Sequence, residues 1–197
     1  MESMTQPFKI VLASTSPRRR ELMERLGVTF DVIAPEGVEE IQEGDPREVV
    51  ARNASAKASK IAGDLHEGLV VGADTVVAVD DIVMGKAEDP LGARVMLETL
   101  RGRMHKVFTG LAVVDAETGR RDVAVVETKV WIHPLTDQEI GDYVSTGEPI
   151  GKAGGYAIQG AGGALVERIE GCFENVVGLP LSRLRSMLGG FGLEARS

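Results

Sequence analysis

Helix-start signals recur along this sequence, and segments typical of β-strands lie between them. A capping side chain, a proline in the first turn, or a capping residue followed three positions later by glutamate marks a helix N-terminus. The predicted helix starts are Ser16-Pro17, Asp45-Pro46, Asp89-Pro90, the pair Thr136 and Glu139, and Pro180. The segments predicted as strands are 8–13, 28–34, 69–73, 75–84, 105–114, 121–133 and 164–169. This alternation predicts an α/β fold.

Turn residues indicate that the sheet is mixed. Asp80-Asp81 divides one apolar segment into two β segments, and Glu117-Thr118-Gly119 separates two longer predicted strands. Strands joined by tight turns are antiparallel, so we expect a mixed sheet flanked by helices. The sequence contains no repeat of 20–50 residues and no long linker. It therefore predicts a single domain over residues 1–197, with 1–6 and 190–197 as candidate disordered tails.

The charge balance excludes several classes of protein. The chain has 22 basic and 30 acidic residues and a formal net charge of −8. A nucleic-acid partner is not expected, because such a field repels polyanions and aromatic residues make up only 4%. With one cysteine, Cys172, no zinc-type spacing, no signal-peptide segment and no run of 18 apolar residues, we expect a cytoplasmic protein without a membrane partner.

Three consecutive arginines, residues 18–20, stand in the first turns of the first predicted helix. The helix dipole disfavours cations there unless an anion lies nearby. A triphosphate would resolve the conflict, with the hydroxyls of Ser14 and Ser16 and the guanidinium of Arg18 on phosphate oxygens. The alternative is a solvated helix start. We expect Arg19 and Arg20 to lie in water.

Asp74 follows a short apolar segment and is expected to stand where a buried strand ends, the position at which α/β sheets carry reactive groups. A metal ion or a proton-transfer role would explain a carboxylate among apolar residues; a turn-capping role is the alternative. Mg²⁺ or Mn²⁺ binds one or two carboxylates plus substrate phosphates, and Glu40 is a candidate second ligand. A solvated loop is the alternative for Glu40.

Two lysines and a glycine-rich loop complete the candidate set. Lys57 lies on the second predicted helix, and Lys86 follows Gly85 in a loop where a cation could reach a phosphate. Gln159 stands in the glycine-rich segment 151–163, and its amide offers both the donor and the acceptor that suit a uracil or thymine edge. Surface lysines and a flexible loop are the alternatives. Neither a P-loop nor a dinucleotide-binding glycine motif is present.

Taken in order, these motifs resemble the Maf family of nucleotide pyrophosphatases from residue 10 to residue 188. The matching segments are LASTSPRRREL at 12–22, Glu40 in a VEE turn, KA at 57–58, GADTVV at 72–77, GK at 85–86, LRGRMHKVFTG at 100–110, KAGGYAIQG at 152–160 and VVGLPL at 176–181. The resemblance implies an inosine triphosphate pyrophosphatase-like fold, an elongated mixed sheet with a central cleft, often as a homodimer. It also implies metal-dependent hydrolysis between the α and β phosphates.

The resemblance also implies roles for single residues. Asp74 matches the family's proton acceptor, and Glu40, Lys57 and Lys86 match residues that handle metal and phosphate. The positions that mark the dTTP/UTP branch are Arg18, Thr75 and Gln159. The chain is therefore expected to hydrolyse dTTP and UTP, with modified pyrimidine triphosphates as alternative substrates. A regulator of septum formation that senses a nucleotide without cutting it is the alternative.

Two positions depart from the family pattern. Ala87 follows the GK lysine where the family usually has proline, and we expect this change to loosen the loop that carries Lys86. Glu174-Asn175 replaces an aromatic and a small residue. Neither departure touches Asp74.

Overall fold

The computed structural model describes residues 8–80 and 82–193. The strands are β1 (Ile10–Ala13), β2 (Asp31–Ile33), β3 (Leu69–Val79), β4 (Ile82–Met84), β5 (Met104–Asp115), β6 (Arg121–Ile132) and β7 (Val166–Glu170). The helices are α1 (Pro17–Glu24), α2 (Pro46–Ala62), α3 (Pro90–Leu100), α4 (Asp137–Ser145), α5 (Phe173–Val177) and α6 (Leu181–Gly190), with a 3₁₀ helix at Ala161–Leu165. Among the described residues no helix is both long and apolar enough to span a membrane.

The sheet is mixed, as predicted. Its order is β2-β1-β3-β5-β6-β7, and β4 pairs with β3. β1 runs parallel to β2 and β3, whereas β3 to β5, β5 to β6 and β6 to β7 are antiparallel. The chain therefore reverses direction within the sheet next to β3, the strand that carries Asp74.

The predicted end of a strand at Asp74 is wrong. β3 continues from Leu69 to Val79, because β5 pairs with it from Leu69 to Ala78. It is β1 that ends here: Ala13 is opposite Gly72, and β4 begins its pairing only at Val77. On that edge of β3 no described strand pairs with residues 73–76. Asp74 therefore faces an opening in the sheet instead of following a strand.

Helix α2 packs directly on the sheet. A Cβ atom added to Gly110 would lie 2.1 Å from the carbonyl oxygen of Val50, and one added to Gly72 would lie 2.3 Å from that of Ala54. Only glycine allows two backbones to approach so closely. This contact sets the height of α2 above β3 and β5, and the next turn of the helix carries Lys57 beside the opening.

Apolar clusters cover both faces of the sheet. On the face covered by α2, Val11 and Val70 pack with Ala54, Ala58 and Ile61. The cluster that includes α1 and α6 is formed by buried residues Ile10, Leu12, Leu22, Met23, Leu69, Val71, Ala73, Leu111, Val113, Ala124, Val177, Leu179, Leu184, Met187 and Leu188. Phe191 packs against that cluster, and the remaining parts of the predicted tails, 1–6 and 194–197, lie outside the described residues. So does Asp81 of the predicted turn.

Candidate active site

The opening beside β3 is a pocket of about 430 Å³. Its described lining includes five cations and three carboxylates, which are Arg18, Arg19, Lys57, Lys86 and Lys152, and Glu36, Glu40 and Asp74. Ser14, Thr75 and Gln159 also line it. The pocket thus brings together every residue that the sequence singled out as a candidate site, and it concentrates positive charge on an acidic protein.

Lys57 joins the two candidate carboxylates. Its Nζ lies 2.7 Å from Glu40 Oε1 and 2.7 Å from Asp74 Oδ1. Lys57 and Asp74 are 7% and 5% exposed, so this charge pair is buried. Burial opposes ionisation of Asp74, but Lys57, with help from Arg19 and Asn53, outweighs it and lowers the pKa of the carboxyl. Asp74 is therefore ionised at neutral pH.

Asn53 is a site residue that the sequence reading missed. Its Nδ2 donates to Asp74 Oδ2 at 2.9 Å and to the carbonyl oxygen of Ile41 at 2.9 Å. The backbone N of Ile41 donates back to Asn53 Oδ1, also at 2.9 Å. Asn53 therefore orients Asp74 and fixes the segment that carries Glu40. The signal was available, because Asn53 lies one helical turn before Lys57 on a face of α2 that is otherwise apolar.

The start of α1 forms the second side of the pocket. Ser16 is the helix N-cap and accepts a hydrogen bond from Arg19 N at 3.4 Å, while Ser14 Oγ accepts from Ser16 N at 3.1 Å. Both hydroxyls use an acceptor position in these bonds, which leaves their protons for another partner. Arg18 is half-buried, and its pKa is lowered by burial and raised in part by Glu148.

The prediction that Arg19 lies in water is wrong, whereas Arg20 is exposed as predicted and pairs with Glu24. Arg19 Nε donates to the carbonyl oxygen of Gly178 at 2.9 Å, and Nη2 donates to Thr75 Oγ1 at 3.1 Å. Burial lowers the pKa of Arg19, and the nearby Asp74 and Glu40 offset part of that effect. A guanidinium retains its charge under such conditions, so Arg19 is a fixed cation in the pocket.

The Thr75 hydroxyl forms hydrogen bonds within the protein both as donor and as acceptor. Thr109 Oγ1 donates its only proton to the carbonyl oxygen of Asn175 at 3.0 Å. The 2.9 Å bond between Thr75 Oγ1 and Thr109 Oγ1 must therefore use the Thr75 proton. Because Thr75 also accepts from Arg19, its hydroxyl holds the guanidinium in place.

Two loops, one with Lys86 and one spanning residues 151–163, also line the pocket. Lys86 Nζ lies 3.8 Å from Glu40 Oε2, and its side chain is 59% exposed. Residues 86 and 153 form a bridge, so the loop with Lys86 is joined to the glycine-rich loop. Lys152, which the sequence did not single out as a candidate site residue, also lines the pocket. Burial and the nearby Arg18 lower the pKa of its ammonium group. Gln159, which is exposed, also lines the pocket.

The carboxylates of the pocket could bind a hard divalent cation if a bound substrate supplied further oxygen ligands. No group of three or more His, Cys, Asp or Glu side chains in metal-binding proximity occurs among residues 8–80 and 82–193. Glu40 and Asp74 both approach Lys57 within hydrogen-bond distance, so the two carboxylates converge on one region of the pocket. Two carboxylates plus phosphate oxygens and water are typical of Mg²⁺ sites.

Comparison with known proteins identifies the family. A sequence profile described as Maf-like protein matches residues 9–191. This chain belongs to the Maf family. It is 49% identical over 186 residues to a protein of Pelotomaculum thermopropionicum named dTTP/UTP pyrophosphatase, covering 93% of this chain and 97% of that relative. A protein of the same name from Carboxydothermus hydrogenoformans is 46% identical, with 94% and 100% covered.

A solved structure supports the fold assignment. The Ham1 protein of Staphylococcus aureus superposes with a TM-score of 0.54 at 14% identity, covering 93% of this chain and 99% of that chain. The likeness is one of fold alone. Together with the mixed sheet flanked by helices, it confirms the predicted inosine triphosphate pyrophosphatase-like fold of this Maf protein.

Ala87, the first departure from the Maf pattern, is hydrogen-bonded on both sides. Ala87 is 1% exposed, its N donates to the carbonyl oxygen of Lys152 at 3.1 Å, and its own carbonyl oxygen accepts from Gly151 N at 2.8 Å. A proline would lack the first of these donors. Alanine thus supplies a hydrogen bond that proline could not form, and the expected loosening of the loop stays a prediction.

Asn175, the second departure, is fully buried. Its Nδ2 donates to the carbonyl oxygen of Val107 and to Thr128 Oγ1, each at 3.0 Å. The backbone carbonyl oxygen of Asn175 accepts the hydrogen bond from Thr109 Oγ1 described above. The asparagine therefore ties α5 to β5 and β6 behind Thr75.

Proposed function

We propose that this protein hydrolyses dTTP and UTP to the nucleoside monophosphate and pyrophosphate. The observation that carries the proposal is the pocket itself, in which Asp74 and Glu40 converge on Lys57 beside four further cations. The relatives named dTTP/UTP pyrophosphatase, which match almost the full chain, support the choice of substrate.

The cations of the pocket have the role of binding the three phosphates. Arg18 and Arg19 present guanidinium groups from α1, and Lys86 and Lys152 present ammonium groups from the two loops. Positioning and charge neutralisation account for most of the catalysis of phosphoryl transfer, so a cationic pocket supplies what the reaction demands. Lys57, already bonded to two carboxylates, orients Asp74 and Glu40.

Asp74 has the role of orienting the attacking water and accepting its proton. The water oxygen forms a bond to the α phosphorus, and the bond from that phosphorus to the bridging oxygen breaks. Its electron pair leaves with pyrophosphate, and the proton of the water passes to Asp74 and then to solvent. The lowered pKa of Asp74 means that the carboxylate is ionised in the free protein, and a proton that it accepts is readily passed on to solvent.

A divalent cation, Mg²⁺ or Mn²⁺, belongs to the proposal. Glu40 and Asp74 are the residues that would hold it, with substrate phosphates as the remaining ligands. When bound, such an ion supplies charge neutralisation at the phosphate oxygens.

Arg18, Thr75 and Gln159 are proposed to set the preference for dTTP and UTP, Gln159 by bonding to the base edge. For Thr75 the hydrogen bonds favour an indirect role through Arg19. Thr75→Val should therefore lower kcat/KM for UTP by about ten-fold, the effect of losing one hydrogen bond to a charged group. Thr75→Ser retains the hydroxyl and should stay close to wild type. Steady-state kinetics of both variants checks this, and equal losses in the two would contradict it.

Incubation of the purified protein with UTP tests the function. With Mg²⁺ or Mn²⁺ present, UMP and pyrophosphate should form in equal amounts, and a chelator should stop the reaction. In heavy-oxygen water the label should appear in UMP, because the attack is on the α phosphorus. Label in pyrophosphate would exclude that attack. Nucleotide binding without product would favour the alternative, a nucleotide-sensing regulator of septum formation.

The wider proposal is a single Maf-like domain over residues 1–197 that acts in the cytoplasm on free nucleotides, and as a homodimer, which the family resemblance implies. The net charge of −8 supports the exclusion of nucleic acid, and no membrane partner is proposed.

A further inference from the structure

The carboxylate of Glu148 is the centre of a hydrogen-bond cluster behind the loop that carries Gln159. It accepts from the Tyr143 hydroxyl at 2.7 Å, from Ala161 N at 3.1 Å and from Gly162 N at 2.9 Å. The Tyr143 oxygen in turn accepts from Ala157 N at 3.0 Å. The backbone is thus fixed two residues before Gln159 and two and three residues after it.

The loop lies against this cluster without spare room. Gly160 has a φ of +140°, and a Cβ added there would lie 2.1 Å from Glu148 Oε1. A Cβ added to Gly162 would lie 2.5 Å from the Tyr143 hydroxyl oxygen. Since both positions tolerate only glycine, the course of the loop is set by its contact with Glu148 and Tyr143.

Glu148 is a charged anchor. Burial opposes its ionisation, but hydrogen bonds from Tyr143, Gly162 and Ala161 outweigh burial and hold the pKa of the carboxyl below its usual range. The same carboxylate interacts electrostatically with Arg18 and Lys152, two of the pocket cations. It therefore links the loop that carries Gln159 to the residues proposed to bind phosphate.

Gln159 takes its position from its neighbours in the chain. Its side chain is exposed to the pocket, and within the part of the chain that the structure describes it makes no hydrogen bond. Ile158 packs against the apolar clusters on one side of it, and Glu148 holds the backbone of residues 161 and 162 on the other. The backbone therefore limits where the amide of Gln159 can lie.

We propose that Glu148, with Tyr143, is a positioning residue for nucleotide selectivity, which holds Gln159 at the pocket wall through the backbone of residues 157–162. The inference rests on the proposed function, because it assumes that Gln159 bonds to the base. Glu148 itself is proposed to make no contact with the base.

Glu148→Gln tests the proposal in the full-length protein. A glutamine amide presents one acceptor oxygen and one NH₂ group, so it cannot accept from all three donors. We expect KM for UTP to rise about ten-fold, kcat to change less than KM, and the preference for UTP over GTP in kcat/KM to fall about ten-fold. Asp142→Asn is the matched control, since Asp142 is exposed on α4, the helix that carries Tyr143, and its carboxylate accepts a hydrogen bond from Gln138. It should leave both constants unchanged. Unchanged selectivity in Glu148→Gln would overturn the proposal.

A double variant separates a positioning role from a general structural one. If Glu148 acts through Gln159, adding Glu148→Gln to Gln159→Ala should cause no further loss of UTP preference. Two losses that multiply would show that Glu148 acts independently of Gln159 and would overturn the proposal.

Hydrogen exchange provides a readout that does not depend on activity. In the nucleotide-free protein, the amides of Ala157, Ala161 and Gly162 should exchange faster in Glu148→Gln than in wild type, while those of β3 should not change. Unchanged exchange at the three amides would overturn the proposal even in a protein that fails to hydrolyse UTP.

Failure of the proposed function would instead appear as no release of pyrophosphate by the wild-type protein. Tyr143→Phe, a smaller change that removes two bonds of the cluster, carries the same test if Glu148→Gln does not fold.

Discussion

Asp74→Asn is expected to lower kcat for UTP hydrolysis by about a hundred- to ten-thousand-fold while the protein remains folded. Asparagine has the size of aspartate, but it carries no charge and cannot accept a proton from water. The residue is 5% exposed and packed beside Asn53 and Lys57, so a replacement of equal size creates no cavity. Lys57 keeps Glu40 as a counter-ion, which limits the effect on stability.

The measurement is single-turnover and steady-state release of pyrophosphate, with thermal unfolding as the test of folding. Asp64→Asn is the control, because Asp64 follows the end of α2 and its carboxylate forms an exposed pair with Lys60. It should have the wild-type rate. A near-normal rate in Asp74→Asn would remove the central assignment of the mechanism, because no other group in the pocket is proposed to orient the water.

The helices were predictable because their signals are local. Asp45 accepts from Arg47 N and Glu48 N, and Thr136 and Glu139 form the reciprocal capping box. Such bonds involve residues at most three positions apart, so the sequence alone is sufficient to indicate them. The short helix α5 (Phe173–Val177) has no side-chain cap and was not predicted.

The course of β3 was not predictable from the same kind of signal. Whether the strand stops at Asp74 or continues depends on the ladder with β5, whose paired residues are about thirty to forty-five positions away in sequence. An apolar segment interrupted by a carboxylate and a threonine is compatible with either outcome. Long-range pairing therefore determined what the local pattern left open.

The sequence contains a signal that Arg19 points towards the interior of the protein. Of the three arginines in α1, it alone lies both three and four residues before the buried Leu22 and Met23. Arg18 and Arg20 are each one position to either side of that face. Helical geometry thus directs Arg19 inward, although three consecutive charges suggest a solvated helix start.

Lys57→Met is expected to lower the free energy of unfolding by about 3–5 kcal/mol at neutral pH, the usual cost of removing one partner from a buried charge pair. Methionine fills a similar volume, so the loss does not come from packing. Glu40 and Asp74 would be left facing each other without the ammonium that lies 2.7 Å from each of them. Hydrolysis of UTP should also fail, because Asp74 loses the group that orients it.

The pH dependence gives the effect a second signature. In wild type the pKa of Asp74 is lower in the folded protein than its value of 3.8 in the unfolded chain. The ionised carboxylate therefore stabilises the fold above pH 3.8, and this contribution is lost as the pH falls through the pKa of the folded state. Without Lys57, burial raises the pKa of Asp74, so the carboxyl takes up a proton on folding as pH falls. The stability difference between wild type and Lys57→Met should therefore narrow from neutral pH to about pH 4.

Urea unfolding at both pH values measures this difference, and Lys60→Met is the matched control. Lys60 lies on the same helix, but its ion pair with Asp64 is exposed, so its replacement should cost no more than about 0.5 kcal/mol. In the double variant Lys57→Met/Asp74→Asn one unpaired charge is removed, and part of the lost stability should return. If the decreases in the free energy of unfolding of the two single variants simply added in the double variant, the destabilisation by Lys57→Met would not come from an unpaired carboxylate. The buried charge pair would then not be what stabilises the pocket.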